Sequence, residues 1–332
     1  MIERAIVVTR RTRLDELIAR FNTKAQAKFY IEQAGANFIE YELEHATYQH
    51  AIDSIITRLQ KRMKVQVIDR SFVPNFLFPP DAVIVTAGQD GLVANTAKYV
   101  GGRPIVAVNP DPVRFDGLLL PFLASDCVEG VEHVASGTAA IRSVTMAETT
   151  LHDGQRLLAF NDFFVGANSH VSARYAIRHG MESEEHSSSG VLVSTGAGST
   201  GWMSSVFNMA TGVTRRFGSG SAVALDMPWE TPKLVFVVRE PFISRTSSAK
   251  IVAGEIDARS VLTIESHMPQ NGVIFSDGVE NDFLQFNSGA IATIQIAPER
   301  ARLVVKRQSG ESSERAAPQQ PPRRSRRKKA GF

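Results

Sequence analysis

Between residues 5 and 108, short apolar runs alternate with segments of helical periodicity, and this alternation restricts the first third of the chain to few folds. Residues 5–8, 65–68, 82–85 and 105–108 are too short for helices and are bounded by turn residues, so they read as buried strands. Residues 24–34 carry apolar side chains at helical intervals and stop at Gly35. A second helix, over 45–59, puts Ala51, Ile55, Ile56 and Leu59 on one face. A third is expected over 92–100, closed by Gly101 and Gly102. Such alternation predicts an α/β layer with a mostly parallel sheet, whose ligands sit beyond the carboxyl ends of the strands.

The pattern changes after about Pro121. Segments 131–149, 156–166, 171–179, 232–239, 249–256, 260–267, 272–276 and 291–297 are short and rich in β-branched and aromatic residues, with one clear helix over 200–215. We therefore expect a Rossmann-like α/β domain over 1–122, to which the last C-terminal segment returns, and a β-rich domain over 123–308. Residues 309–332 are Ser, Glu, Pro, Gln and basic residues with no means of building a core, and a disordered tail is expected there.

Charge and cysteine content narrow the function. The net charge is +3, but Arg323, Arg324, Arg326, Arg327, Lys328 and Lys329 alone contribute six positive charges, so the rest of the chain is mildly acidic. That argues against a nucleic-acid surface anywhere but the tail. No stretch approaches 18 consecutive apolar residues and the N-terminus has no signal-peptide core, so a cytoplasmic protein with no membrane span is expected. Cys127 is the only cysteine and has no neighbouring His or Lys, which suits a structural thiol.

Two turns carry chemistry. In the first, the strand at 82–85 runs into Gly88-Gln89-Asp90-Gly91. Glycines on either side of an acid suit close backbone approach to a phosphate, and the acid itself suits a base that takes a proton from an attacking hydroxyl. On this segment alone the plainer reading prevails: an Asp capping the helix that follows. In the second turn, Ser194-Thr195-Gly196-Ala197-Gly198-Ser199-Thr200-Gly201 follows a strand and precedes a helix. Its amides and hydroxyls make a polyphosphate or ribose cradle. Gly196, Gly198 and Gly201 also match the dinucleotide fingerprint of hydride-transfer enzymes, with Asp226 as the later acid. Asp226 lies beyond the spacing of roughly 20 residues, and the surroundings are β-rich.

Taken together, the two turns resemble those of the NAD kinase family. The matching residues are Gly88-Gln89-Asp90-Gly91, Asn161-Asp162 and Gly196-Ala197-Gly198-Ser199-Thr200. Thr12-Arg13, Val108-Asn109-Pro110-Asp111-Pro112, Ser188-Ser189-Gly190, Arg239-Glu240-Pro241 and 286–292 resemble the mitochondrial branch in particular. The resemblance runs from about residue 5 to 305. It implies the NAD kinase/diacylglycerol kinase-like fold, an α/β domain followed by a β-rich one. It also implies transfer of the ATP γ-phosphate to the 2′-hydroxyl of NAD, with Asp90 as base. Gly88, Gln89, Gly91, Gly198 and Ser199 would lie near the ATP phosphates. Asn161, Asp162, Thr200, Gly201, Trp202 and Ser205 would hold NAD. The implied partners are NAD, ATP and further copies of the chain in a homodimer or larger oligomer, with Mg²⁺ on the triphosphate and no protein-held metal.

The sequence departs from the family at three of these positions. Gln89 replaces a glycine, which is expected to crowd the backbone and to disfavour a positive φ. Leu92 replaces a threonine, and Asp162 is one methylene shorter than the family's Glu. A dinucleotide-binding protein with weak or lost turnover is therefore the alternative, and a kinase of a sugar or lipid hydroxyl a third reading. Arg10, Arg13 and Arg114 are within sequence reach of a phosphate. His45, His50, His170 and His179 lack metal-ligand spacing. Asp277-Gly278 reads as a hairpin turn, with approach to a neighbouring subunit's site as the lesser possibility.

Overall fold

The structure is a computed structural model that describes residues 2–218 and 225–306. The expected tail lies outside the described residues. The chain begins β1 (Arg4–Thr9), α1 (Arg13–Phe21), α2 (Lys24–Gln33), α3 (Phe38–Gln60), β2 (Lys64–Asp69), β3 (Ala82–Ala87), α4 (Asp90–Ala97), β4 (Pro104–Asn109), β5 (Phe122–Leu123) and α5 (Cys127–Ala135). Next come β6 (Ala140–Leu151), β7 (Arg156–Ala159), β8 (Asp162–Ala167), β9 (Ala173–His179), β10 (Glu182–Ser188), β11 (Val191–Ser194) and α6 (Trp202–Phe217). The last strands are β12 (Leu234–Val238), β13 (Ala253–Ile256), β14 (Leu262–Ser266), β15 (Gly272–Ser276), β16 (Val279–Gln285) and β17 (Ile291–Val305).

Strands β1 to β5 are parallel, and β1, β3 and β4 are buried along almost their whole length, as strands covered on both faces must be. One face packs on α3 and α5 through Tyr48, Ile55, Leu59, Cys127 and Val131. The other packs on α4 through Leu92, Val93 and Ala97. The long strand β17 joins β4 in parallel and pairs β6 and β14 antiparallel, so one sheet runs on into the second half of the chain. The other sheet, β13-β12-β11-β8-β15-β16, is antiparallel throughout. Its inner face meets β6, β9, β14 and β17 across a core containing Phe163, Tyr175, Phe236 and Phe286.

Some elements differ from the sequence reading. Residues 131–149 were expected as strand, but their start belongs to α5, where Cys127 and Val131 are buried one helical turn apart. Helix α1 was not expected. Its signal is the reciprocal cap at Thr12 and Asp15, in which each side chain accepts the other's backbone N–H. Strand β10 is polar in sequence yet pairs along its length with β9.

Candidate functional site

A cleft of about 380 Å³ opens where the two sheets meet, lined by Asp90, Gly91, Asn161, Asp162, Gly198, Thr200, Gly201, Trp202 and Asp277 among others. Three segments distant in sequence are thus brought to one place. Gly88, Gln89, Ser199 and Ser205 do not line it.

The first wall is the turn after β3. A Cβ at Gly88 would come within 2.7 Å of Leu92 Cδ2, the end of a flexible side chain that would have to move aside. The hydroxyl of Tyr48 fastens the turn from beneath, accepting the Arg10 N–H and donating to the Ala87 carbonyl, both at 2.9 Å; burial pushes this phenol up to about 12. Gln89 is the N-cap of α4 with φ −99° and ψ 170°, an ordinary extended conformation. The expected positive-φ conflict at Gln89 is therefore absent, because the turn is made without a left-handed residue there. Asp90 opens α4, and its carboxylate does not cap that helix. It accepts the backbone N–H groups of Leu119 at 2.9 Å and Leu118 at 3.2 Å, which line the cleft with it.

The second wall is the loop after β11. Thr195 continues the strand ladder, donating its N–H to Asn161 O at 2.9 Å and its hydroxyl to Phe160 O at 2.6 Å. Gly198 lies so close to this segment that a Cβ would sit 2.2 Å from Asn161 O. The Ser199 hydroxyl donates to Gly196 O at 2.7 Å, which braces the loop. Gly201 caps α6 with no side-chain bond, so no side chain covers the helix's first amides, and Gly201 and Trp202 line the cleft. Ser205 is exposed on α6 outside the cleft. The hydride-transfer reading fails on topology. Strand β11 lies between β8 and β12, antiparallel to both, so its glycine loop is not the first turn of a parallel βαβ unit.

The floor was missed in the sequence. Asp277 and Gly278 have φ 54° and 69° and form the two-residue turn between β15 and β16. The Asp277 side chain is fully buried and accepts the backbone N–H groups of Asn161 at 2.6 Å, Phe160 at 3.0 Å and Asp162 at 3.3 Å. It approaches the site of its own chain, holding the Asn161-Asp162 pair in place. Asp162 is buried beside it. Burial first, and then the Asp277 charge, push the Asp162 carboxyl up to about 7.

The three arginines expected to reach a phosphate are paired with acids. Arg10 and Arg13 share Glu44, at 3.3 and 2.5 Å, and Arg114 meets Asp111 at 2.5 Å and Glu40 at 3.3 Å. Among the described residues no group of three or more His, Cys, Asp or Glu is placed to hold a metal, and no helix is long and apolar enough to cross a membrane. Beyond Trp202 lies a second cavity of about 440 Å³, which that residue also lines. Phe164 stacks on the indole there at 5.8 Å, and the Arg239 guanidinium lies 5.1 Å from its ring.

Solved structures share this architecture. Yeast NADH kinase complexed with NADH superposes with a TM-score of 0.59 at 17% identity, over 96% of this chain and 91% of that one. An NAD kinase from Archaeoglobus fulgidus in complex with ATP gives 0.52 at 18% identity, over 91% and 93%. This is the NAD kinase fold. No family model and no curated protein matches the sequence itself.

Proposed function

We propose that this chain is an ATP-dependent kinase of NAD or NADH, nearest in its motifs to the mitochondrial branch. The observation that carries the reading is the convergence of Asp90, Asn161-Asp162 and the Gly198–Trp202 loop on one cleft. The adjoining cavity past Trp202 gives a dinucleotide room for its second half. Asp90 takes the proton of the adenosine-side 2′-hydroxyl as that oxygen attacks the γ-phosphorus of ATP. The new P–O bond forms as the bond to the β-phosphate oxygen breaks, and ADP leaves. Asn161 and Asp162 orient the dinucleotide, and the amides at the start of α6 face anionic or ribose oxygens. Mg²⁺ enters with the triphosphate as part of the substrate, since phosphoryl transfer depends chiefly on positioning and charge neutralisation.

A second reading, dinucleotide binding without turnover, is favoured by one observation: both Asp90 oxygens already accept backbone N–H groups. Each oxygen keeps a further lone pair, so the base role stands geometrically. A coupled assay for NADP or NADPH formation from ATP–Mg²⁺ separates the two. Asp90→Asn is expected to lower turnover by roughly 10²–10⁴ with dinucleotide affinity within a few-fold. Turnover at the wild-type rate in a folded Asp90→Asn variant would overturn the base assignment. Dinucleotide binding without turnover in the wild type would favour the second reading.

A further inference from the structure

Helix α4 carries Asp90 at its start, and Lys98 caps its end. The Lys98 side chain is 1% exposed. Its ammonium donates to Ser276 Oγ at 2.8 Å and stands 3.7 Å from Asp277 Oδ2 and 3.9 Å from Asp282 Oδ2. Burial pushes Asp277 up and Lys98 down, and their pairing opposes both shifts. The surroundings of Asp277 decide its state. Three backbone N–H groups and an ammonium face it, all donors, and an ionised carboxylate uses every one. Asp162 is in the opposite position. It is buried, it lines the cleft with Asp90 and Asp277, and its carboxyl receives no protein donor among the described residues. The Asp277 carboxylate touches the Asp162 backbone N–H at 3.3 Å and its charge acts on the Asp162 carboxyl, so the two buried acids do not both ionise easily.

We propose that Asp162 meets the cleft's ligand as a neutral carboxyl, donating its proton in a hydrogen bond to an acceptor such as a purine ring nitrogen, and that Lys98 is a positioning residue that adds to the effect of burial by holding Asp277 ionised. The ligand's identity rests on the dinucleotide reading above, while the charge arrangement rests on the buried geometry alone. The titratable group acting on Asp162 is Asp277 from the β15–β16 turn, and Asp90 from α4 lines the same cleft. Behind Asp277 stand Lys98 and Asp282. Burial first, and the negative Asp277 second, hold the Asp162 proton to about pH 7, far above an ordinary aspartate. Without Lys98, Asp277 takes up a proton itself and its repulsion of Asp162 ends.

The test is carboxyl NMR of the full chain labelled with ¹³C-aspartate, with the Asp162 signal assigned by its loss in Asp162→Asn. The wild type is expected to show this carboxyl titrating near neutrality. In Lys98→Met the midpoint falls toward the ordinary carboxylate range, and in Lys98→Arg it stays. An Asp162 midpoint in the ordinary carboxylate range in the wild type overturns the proposal even if Lys98→Met fails to fold. So does a midpoint that is unchanged or raised in folded Lys98→Met. Calorimetry with NAD and NADH adds the ligand's side: the Kd rises about ten-fold per pH unit above the midpoint, and Asp162→Asn abolishes that dependence. Binding that strengthens as Asp162 ionises overturns the donor role. No dinucleotide binding at any pH, together with the near-neutral titration and its fall in Lys98→Met, defeats the kinase reading and supports the charge arrangement.

Discussion

Gly198→Ala tests whether the cleft is built by close backbone approach. The added Cβ would lie 2.2 Å from Asn161 O and 2.6 Å from both its carbonyl carbon and Ser194 Oγ. The nearest atoms are backbone, so no rotamer change relieves the clash, and the loop after β11 must lift away from Asn161. Lifting puts at risk the bonds from Thr195 to Asn161 O and Phe160 O. Two buried hydrogen bonds are worth about 1 kcal/mol each and overpacking costs about 1–3 kcal/mol, so a loss of roughly 3–5 kcal/mol is expected. Against a total stability of about 5–15 kcal/mol this is readable in a urea melt. Gly91→Ala is the control, because a Cβ there meets nothing within 4 Å and the position is helical. That variant is expected to be neutral or more stable by up to about 1 kcal/mol. Calorimetry should show dinucleotide affinity lost in Gly198→Ala, since the same carbonyl segment positions Asn161 and Asp162. A Gly198→Ala protein within 1 kcal/mol of wild type, with normal binding, would refute the claim that this approach shapes the cleft.

Three other outcomes are expected. Gln89→Gly should change stability by less than about 1 kcal/mol and leave dinucleotide affinity alone, because Gln89 is unstrained and outside the cleft lining; steady-state kinetics varying ATP then measure what its side chain does to the phosphates. Because the Asp162 carboxyl is raised from 3.8 to about 7 on folding, the folded state binds more protons than the unfolded between those values. Its share of stability is therefore present below about pH 4 and lost as pH rises through about 7. The loss is at most about 4 kcal/mol, and denaturant melts of Asp162→Asn should lack it. Cys127 is buried and its thiol is pushed up to about 11 by burial, so a thiol reagent at pH 8 should label the protein only as fast as it unfolds; rapid labelling of the native form would contradict the burial.

What was legible in the sequence followed from local rules. The runs at 82–85 and 105–108 announced buried parallel strands because a strand covered on both faces has no polar side. The small residues at 194–201 announced a strand-to-helix turn for steric reasons. What was not legible depends on partners far along the chain. Asp277-Gly278 was recognisable as a turn, since both residues tolerate positive φ, but not as the floor of the cleft. That role exists only because β15 pairs with β8, which brings the Asp277 carboxylate to amides more than 110 residues away. Lys98 likewise carried no signal in the sequence, since the partners of its buried ammonium, Ser276, Asp277 and Asp282, lie about 180 residues away. The expectation at Gln89 failed for a related reason. It carried over a glycine's conformational freedom, whereas the backbone at this position needs none. At Gly198 the need is real, and it is one of space set by Asn161 O, with φ no part of it. In both cases the constraint lies in what the backbone touches. The cleft accordingly gathers beyond strand ends: Asp277 takes up the amides of residues 160–162 where β8 begins, Asp90 takes up those of Leu118 and Leu119 in the loop before β5, and among the described residues Asp162 is left without a donor of its own.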